Sequence, residues 1–143
     1  MTSSPRLKSL ACAFVLSGLC VHAQAAELTV NIDGIRAQTG IVKVAVVDSA
    51  EGWDGKAGPV AADAIAPSGE RATLRFADLP PGRYAVMITH DENGNGKLDT
   101  NVIGMPIEGY GFSNNPAVMR KPTFDEARFD IGTDALAVDV ALR

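Results

Sequence analysis

The chain has 143 residues, with 13 lysines and arginines against 17 aspartates and glutamates, and a formal net charge of −4. This acidic balance argues against nucleic-acid binding, which requires clustered basic residues. Both cysteines, Cys12 and Cys20, and one of the two histidines lie in the first 25 residues. Only His90 remains beyond them, which excludes multi-histidine zinc sites and cysteine–histidine catalysis from that part of the chain.

The first segment has the order of a secretory signal peptide. Two basic residues precede an apolar run at 10–21, and a small-x-small cleavage site ends at Ala25. The apolar run is shorter than the about 20 residues that a membrane span needs. We expect residues 1–25 to be a signal peptide, residues 26–143 to form one domain without a membrane span, and the protein to be periplasmic or secreted. The alternative is an uncleaved anchor.

Apolar residues after this segment alternate with polar ones at a period of two, which is the pattern of half-buried strands. Glycine, proline and aspartate turns separate the apolar stretches, so we expect an all-β fold, a seven-stranded antiparallel β-sandwich. The one predicted helical turn lies within 122–128, with Thr123 as its N-cap. The predicted strands are 28–32, 42–46, 60–66, 72–76, 84–88, 129–131 and 136–142.

A turn before the fifth predicted strand has the sequence LPPGRY, at residues 79–84. A leucine, a Pro-Gly turn and a tyrosine entering a strand are typical of the tyrosine corner of Greek-key sandwiches. We expect the Tyr84 hydroxyl to bond back to this turn. The alternative is that Tyr84 is an ordinary core aromatic.

Residues 91–99 place oxygen-bearing side chains two residues apart around a glycine, which is the pattern of loops that wrap Ca²⁺. Gly96, in the sixth place, permits the sharp turn. Two carboxylates and two amides carry little negative charge, so we expect weak binding, with a Kd of about 10⁻⁴ to 10⁻³ M. The predicted ligands are the side-chain oxygens of Asp91, Asn93, Asn95 and Asp99 and the backbone carbonyl of Lys97.

The twelfth place of this pattern is Val102, where an EF-hand has a bidentate glutamate. The segment therefore has calcium-loop chemistry without being an EF-hand. We expect Glu108 to supply the missing carboxylate, and Asp48 is the other acid considered. The alternative is a metal-free turn, because Asn and Gly also favour hydrogen-bonded turns with positive φ.

The calcium-type pattern opens a long segment, residues 91–122, that has little strand or helix pattern. Compact domains rarely contain so long a loop unless it is functional or disordered. Its apolar residues argue against disorder. We expect an ordered loop that folds back and buries Val102, Ile103, Met105, Ile107, Tyr110 and Phe112.

Two stretches of this loop, HDENGNGKLDTN at 90–101 and GMPIEGYGFSN at 104–114, resemble a bacterial exported family of unknown function, DUF2141. The resemblance extends to 40–47, 79–84 and 122–129, and so covers nearly all of the chain after the signal. It implies an exported sandwich of the Greek-key, prealbumin- or immunoglobulin-like sort. It implies no activity and no site residues.

The sequence offers little for catalysis. A Ser-His-Asp set could be drawn only from Ser113, His90 and Asp91, and no serine lies in a G-x-S-x-G elbow. We expect His90 to bond a loop carbonyl or to orient the acidic loop. The single tryptophan, Trp53, is expected either to bind a ligand from an exposed loop or to plug one end of the sandwich.

We therefore expect a non-enzymatic exported module that is stabilised by Ca²⁺ and presents a loop surface to an envelope protein or a glycan. The alternative is a hydrolase or small-molecule carrier with a loop-end pocket around His90 and Glu108. A third reading is a structural envelope component with a metal-free turn.

Overall fold

Eight strands and two short helices form the part of the chain that the computed structural model describes, residues 25–143. The predicted signal peptide lies outside the described residues, apart from Ala25. The elements are β1 (Ala26–Asp33), β2 (Ile41–Val47), α1 (Ala50–Trp53), β3 (Ala61–Ile65), β4 (Arg71–Leu79), β5 (Gly82–Asp91), β6 (Tyr110–Phe112), α2 (Phe124–Ala127), β7 (Phe129–Ile131) and β8 (Leu136–Ala141).

The all-β prediction is confirmed, but the number of strands is wrong, because residues 25–143 contain eight rather than seven. The additional strand is β6, which lies inside the segment predicted to have little regular structure. Its middle residue is Gly111, so its three residues show no alternation of apolar and polar side chains. It is a strand because it pairs with Met87 to Thr89 of β5.

The predicted helical turn is confirmed as α2. The Thr123 hydroxyl accepts from the Glu126 N–H, and the Glu126 carboxylate accepts from the Thr123 N–H. This capping box satisfies two of the N–H groups that a helix start leaves without partners. The other helix, α1, was not predicted, although Ser49 caps it by accepting from Gly52 N–H.

The strands form two sheets. The first has the order β4-β1-β8, and the second has the order β3-β2-β5. Both β6 and β7 pair with the far edge of β5, each along a different part of that strand. β8 runs parallel to β1, so the prediction of an antiparallel sandwich is wrong for this pair. A short hairpin can join only antiparallel neighbours, and nearly the whole chain separates β1 from β8.

The apolar faces of the two sheets meet in one core. On β1, Leu28, Val30 and Ile32 are almost completely buried, and they belong to the same cluster as Val44 of β2 and Ile88 of β5. Burying a side chain of this size stabilises the fold by about 1.5–3 kcal/mol. The alternating residues that predicted the strands are therefore the residues that hold the sheets together.

The tyrosine that begins this core in β5 makes the predicted bond. Tyr84 Oη donates to the Pro80 carbonyl at 2.7 Å. Burial, with a smaller contribution from the Asp48 carboxylate, raises the pKa of the Tyr84 hydroxyl. The hydroxyl therefore stays protonated and fixes the turn that leads into β5.

A second apolar cluster covers the outer face of the second sheet, with Trp53 at its centre. Trp53 is buried, and its Nε1 donates to the Pro122 carbonyl at 2.8 Å. Its ring lies 5.5 Å from that of Phe112 and 6.5 Å from that of Phe124, centroid to centroid. Trp53 is thus not an exposed binding aromatic, and it joins α1, β6 and α2 to the sheet.

One side of the sandwich is closed where the end of β8 meets β6. The backbone of Arg143 donates to Tyr110 O at 2.9 Å and accepts from Tyr110 N at 3.4 Å. The Asn115 side chain pairs with β8 as a strand residue would, donating to Asp139 O and accepting from Ala141 N.

No helix within residues 25–143 is long and apolar enough to span a membrane.

Candidate functional site

The acidic loop, residues 91–99, begins at the end of β5 and is held closed by one buried side chain, Glu108. Glu108 Oε1 accepts from the backbone N–H groups of Glu92 at 2.9 Å and Asn93 at 3.3 Å, and its Oε2 accepts from Asp99 N–H at 2.8 Å. Glu108 is 5% exposed. One side chain therefore bonds the backbone near the start of the loop and at its end.

Asp91 folds the middle of the loop back onto its start. Asp91 Oδ1 accepts from Asn95 N–H at 3.0 Å, and Oδ2 accepts from Gly96 N–H at 2.8 Å. Gly96 has φ +86°, a left-handed conformation that glycine adopts without steric cost. The turn at this position therefore needs the glycine that the sequence pattern provides.

A cation already lies beside Asp91. Lys43 Nζ of β2 is 3.0 Å from Asp91 Oδ2. This hydrogen bond is the largest influence on the Asp91 carboxyl, and together with the N–H groups of Gly96 and Asn95 it lowers the pKa of that group below its ordinary value, against the effect of burial. Asp91 is consequently ionised at neutral pH, as a metal ligand must be.

The two asparagines and Asp99 complete a ring of polar groups. Asn93 Nδ2 donates to Asp99 Oδ2 at 2.6 Å, and Asn95 Nδ2 lies 2.9 Å from both Asp99 oxygens. Asn93 Oδ1 accepts from Asn95 N–H, and Asn95 Oδ1 accepts from Lys97 N–H. The five predicted loop ligands therefore lie on one turn, where their side chains or peptide groups contact one another.

The donor set suits Ca²⁺ better than a transition metal, because every donor is an oxygen of a carboxylate, an amide or the backbone. Within residues 25–143 no group of three or more His, Cys, Asp or Glu side chains is arranged to hold a metal ion. A cation here would therefore depend on the amides of Asn93 and Asn95 and on the Lys97 carbonyl. The positive charge of Lys43 would also oppose it.

Residues of the turn before β2 support the loop from behind, and the sequence did not reveal them. Arg36 Nε donates to Glu92 Oε1 at 2.9 Å, and Thr39 Oγ1 donates to Glu92 O at 2.9 Å. Glu92 Oε1 also accepts from Gly109 N–H. The register of β2 on β5 places Ile41 opposite Asp91. Only that register could have predicted Lys43 and Arg36 as neighbours of the loop.

The residues considered for catalysis have separate partners. His90 is fully buried, and its Nε2 donates to the Thr39 carbonyl at 2.8 Å, which confirms the predicted bond to a loop carbonyl. Its Nδ1 has no partner within residues 25–143. Ser113 Oγ donates to Ala127 O and accepts from Val86 N–H. The hydroxyl is therefore used in the core, with no bond to His90 in the described chain.

Asp48 follows the end of β2 that pairs with Ala85, whereas Asp91 pairs with Ile41 at the other end of the same strand. The suggestion that Asp48 completes the acidic loop is therefore wrong. Glu108 is the acid that contacts this loop.

The apolar turn, residues 101–105, follows the acidic loop and is exposed. The Asn101 side chain accepts from the N–H groups of Ile103 and Met105, both at 3.0 Å. Val102 and Ile103, at the tip, are 104% and 78% exposed. The prediction that the loop buries these residues is wrong, because the hydrogen bonds of Asn101, and not apolar contacts, order the turn. The prediction is also wrong for Met105 and Ile107, which are exposed.

Comparison with known proteins places this chain in a family. Searches of curated proteins and of solved structures each gave no match to the chain. The model of a family described as Uncharacterized protein conserved in bacteria (DUF2141) matches residues 30–139, from the middle of β1 into β8 and including the whole acidic loop. The resemblance found in the sequence is thereby confirmed, and the chain belongs to this uncharacterised bacterial family.

Proposed function

We propose that this protein is an exported, non-enzymatic module in which the acidic loop binds Ca²⁺ and so fixes the apolar turn as a docking surface for an envelope protein or a glycan. The observation that carries the proposal is that Asp91, Asn93, Asn95 and Asp99 lie on one turn and are linked to one another by hydrogen bonds.

Binding in this loop is weak. Two carboxylates, Asp91 and Asp99, face an ion that must also compete with Lys43 Nζ, 3.0 Å from Asp91. Glu108 already accepts three N–H groups, and it joins the ligands through the lone pairs that these bonds leave free. The expected Kd is about 10⁻⁴ to 10⁻³ M, which suits the calcium levels outside the cytoplasm.

The apolar turn is the part of the module that suits a partner. Val102 and Ile103 project into solvent from a turn that internal hydrogen bonds hold in one shape. Contiguous exposed apolar residues on a soluble protein commonly mark an interaction site. A preordered turn also loses little conformational entropy when it binds.

Export and the finer fold assignment are part of this proposal. β1 begins at Ala26, the first residue after the predicted cleavage site, so cleavage there would leave every strand whole. The order β4-β1-β8 on one sheet and β3-β2-β5 on the other, together with the Tyr84 corner, supports a Greek-key sandwich of the prealbumin or immunoglobulin sort.

The rival reading, a hydrolase or small-molecule carrier working around His90 and Glu108, has less support. Glu108 is committed to the loop backbone, and His90 bonds Thr39. These bonds do not bring a nucleophile into contact with a base, and acyl transfer would need such a contact.

Thermal unfolding with and without Ca²⁺ tests the calcium proposal. At a Ca²⁺ concentration ten times the Kd, binding adds about 1.4 kcal/mol, which raises Tm by about 5 °C over the value in chelator. The Asp91→Ala variant should show no such rise, whereas Asp134→Asn, at an exposed carboxylate elsewhere, should keep it. Equal Tm values for the unmodified protein in Ca²⁺ and in chelator would identify the loop as a metal-free turn.

A further inference from the structure

A groove that borders the acidic loop at Leu98 lies on the outer face of the second sheet. Its floor is formed by Tyr110 and Phe112 of β6, and its walls are segments 104–106 and 118–121. The volume is about 440 Å³. Pockets for small molecules span about 300–1,000 Å³ and have mostly apolar linings with a few polar groups that fix orientation. The groove therefore has the size and the composition of a small-molecule site.

The walls are apolar and face solvent. Met119 is 90% exposed and Met105 is 38% exposed, although both line the groove above two aromatic rings. Methionine side chains adapt their shape to irregular ligands, because they are unbranched and polarizable. An apolar chain lying between them would remove from water a surface that the protein alone leaves exposed.

The charged side chains that line this groove are all positive. Arg120, Lys121 and Arg143 line it, and no acidic side chain does. Arg120 is neutralised by Glu126, which it binds through two contacts of 2.8 Å. In a chain whose acids outnumber its basic residues, a groove whose charged side chains are all cations indicates an anionic ligand.

Two of these cations have no carboxylate partner. Lys121 Nζ donates to Trp53 O at 2.5 Å and lies 5.2 Å from the centroid of the Trp53 ring. The Arg143 guanidinium donates to the carbonyls of Pro116 and Val118. Neither forms an ion pair within residues 25–143, and residues 1–24 contain no aspartate or glutamate. Both charges are held in place by neutral carbonyls and remain available to an anion.

We propose that this groove binds an amphipathic monoanion, namely a medium-chain fatty acid. The acyl chain lies on Tyr110 and Phe112 between the two methionines, and the carboxylate pairs with Lys121 and Arg143. A polar anion would leave the apolar walls unused, and a neutral lipid would leave the two cations unused. The inference goes beyond the proposed function and does not require the acidic loop to bind Ca²⁺.

The test uses the full-length protein and sodium decanoate below its micellar concentration, followed by calorimetry and by the fluorescence of Trp53. Trp53 contacts both Lys121 and Phe112, so a ligand in the groove should change its emission. We expect saturable binding of one equivalent. Because each buried CH₂ contributes about 0.8 kcal/mol and decanoate has two more than octanoate, decanoate should bind about 15-fold more tightly.

Variants locate the site. The Arg143→Gln variant should bind decanoate several-fold more weakly, and Arg143→Gln with Lys121→Gln at least tenfold more weakly. The matched control, Arg75→Gln with Lys56→Gln, removes two exposed cations elsewhere and should bind as the unmodified protein does. Met119→Asp, at a side chain too exposed to affect folding, should also weaken binding.

Three results would overturn the proposal: no binding of decanoate, equal affinity for decanol and decanoate, or unchanged binding by the double variant. Binding to anionic vesicles but not to decanoate would instead identify a membrane-docking surface. Decanoate should still bind in chelator and to the Asp91→Ala variant, because the aromatic floor and the two free cations lie outside the acidic loop and the apolar turn. Failure of the calcium proposal would therefore leave this one standing.

Discussion

At the scale of single residues, Glu108 shows how one side chain can organise a loop. Its two oxygens accept from residues at both ends of the acidic loop, while the side chain itself lies 16 and nine residues away along the chain. Buried N–H groups without partners are costly, so the carboxylate stabilises three of them at once. Its structural role thus holds with or without a bound ion.

Replacing Glu108 by Gln should weaken this loop, because the amide NH₂ cannot accept a hydrogen bond and would face a backbone N–H. We expect a loss of about 1–3 kcal/mol in the free energy of unfolding, measured by urea denaturation. Exchange of the Asp99 or Glu92 amide hydrogen should become faster. The exposed Glu70→Gln is the matched control and should change neither quantity. Unchanged exchange in Glu108→Gln would disprove the role assigned to this carboxylate.

At the scale of elements, the turn before β2 is built to lie directly against the end of β5. Gly40 has φ +75°, and a Cβ at this position would lie 1.8 Å from Asp91 O. No side chain fits in that space. The same turn supplies Thr39, which bonds both His90 and Glu92. The close approach therefore ties the start of the acidic loop to β2.

The Gly40→Ala substitution should force these two elements apart. Gly55 has nearly the same φ, +74°, with no atom within 4 Å of an added Cβ. The Gly55→Ala variant therefore measures the backbone strain alone, about 1 kcal/mol. We expect Gly40→Ala to be less stable than Gly55→Ala by at least about 2 kcal/mol in denaturant unfolding, because steric overlap is added to the strain. Similar values for the two variants would contradict the close contact.

At the scale of the whole molecule, stability in acid depends on carboxylates that are bonded in the folded state. The Arg120 guanidinium, followed by the Thr123 N–H, lowers the pKa of the Glu126 carboxyl from 4.5 to about 2. A carboxyl whose folded-state pKa is lowered stabilises the fold above its unfolded pKa. That contribution is lost as the pH falls from about 4.5 towards 2.

We therefore expect the urea midpoint of the unmodified protein to fall between pH 5 and pH 2.5, and to fall less in Glu126→Gln, which has no such carboxyl to protonate. The difference between the two proteins should shrink in high salt, because the pair is partly exposed and ions screen it. If Glu126→Gln loses as much stability as the unmodified protein over this range, the pair does not contribute.

Much of the fold could be predicted, because the signal lies in local pattern. Val42, Val44 and Val46 alternate with less buried residues, and this period specifies a strand with one buried face. Pairing is not a local property. Neither the parallel direction of β8 nor the strand status of Tyr110–Phe112 could be read from alternation, because both depend on residues far away in the chain.

The acidic loop, too, could be predicted only in part. Spacing alone predicted that Asp91, Asn93, Asn95 and Asp99 share one turn, since the positions lie within nine residues. The exposure of Val102 and Ile103 was not predictable from composition, because apolar residues are ordinarily buried and a turn held by Asn101 reverses that expectation. Lys43 reaches the loop only through the register of two strands.

The lateral bonds made by β6, β7 and Asn115 leave two open flanks on the described part of the sandwich, along β3 and β4. Each of these carries exposed charge, Asp63 on one and Arg71 and Arg75 on the other. Charged side chains on an unpaired strand oppose the stacking of another copy against it. These charges therefore oppose edge-to-edge growth into fibres, even though the protein displays an apolar tip to its surroundings.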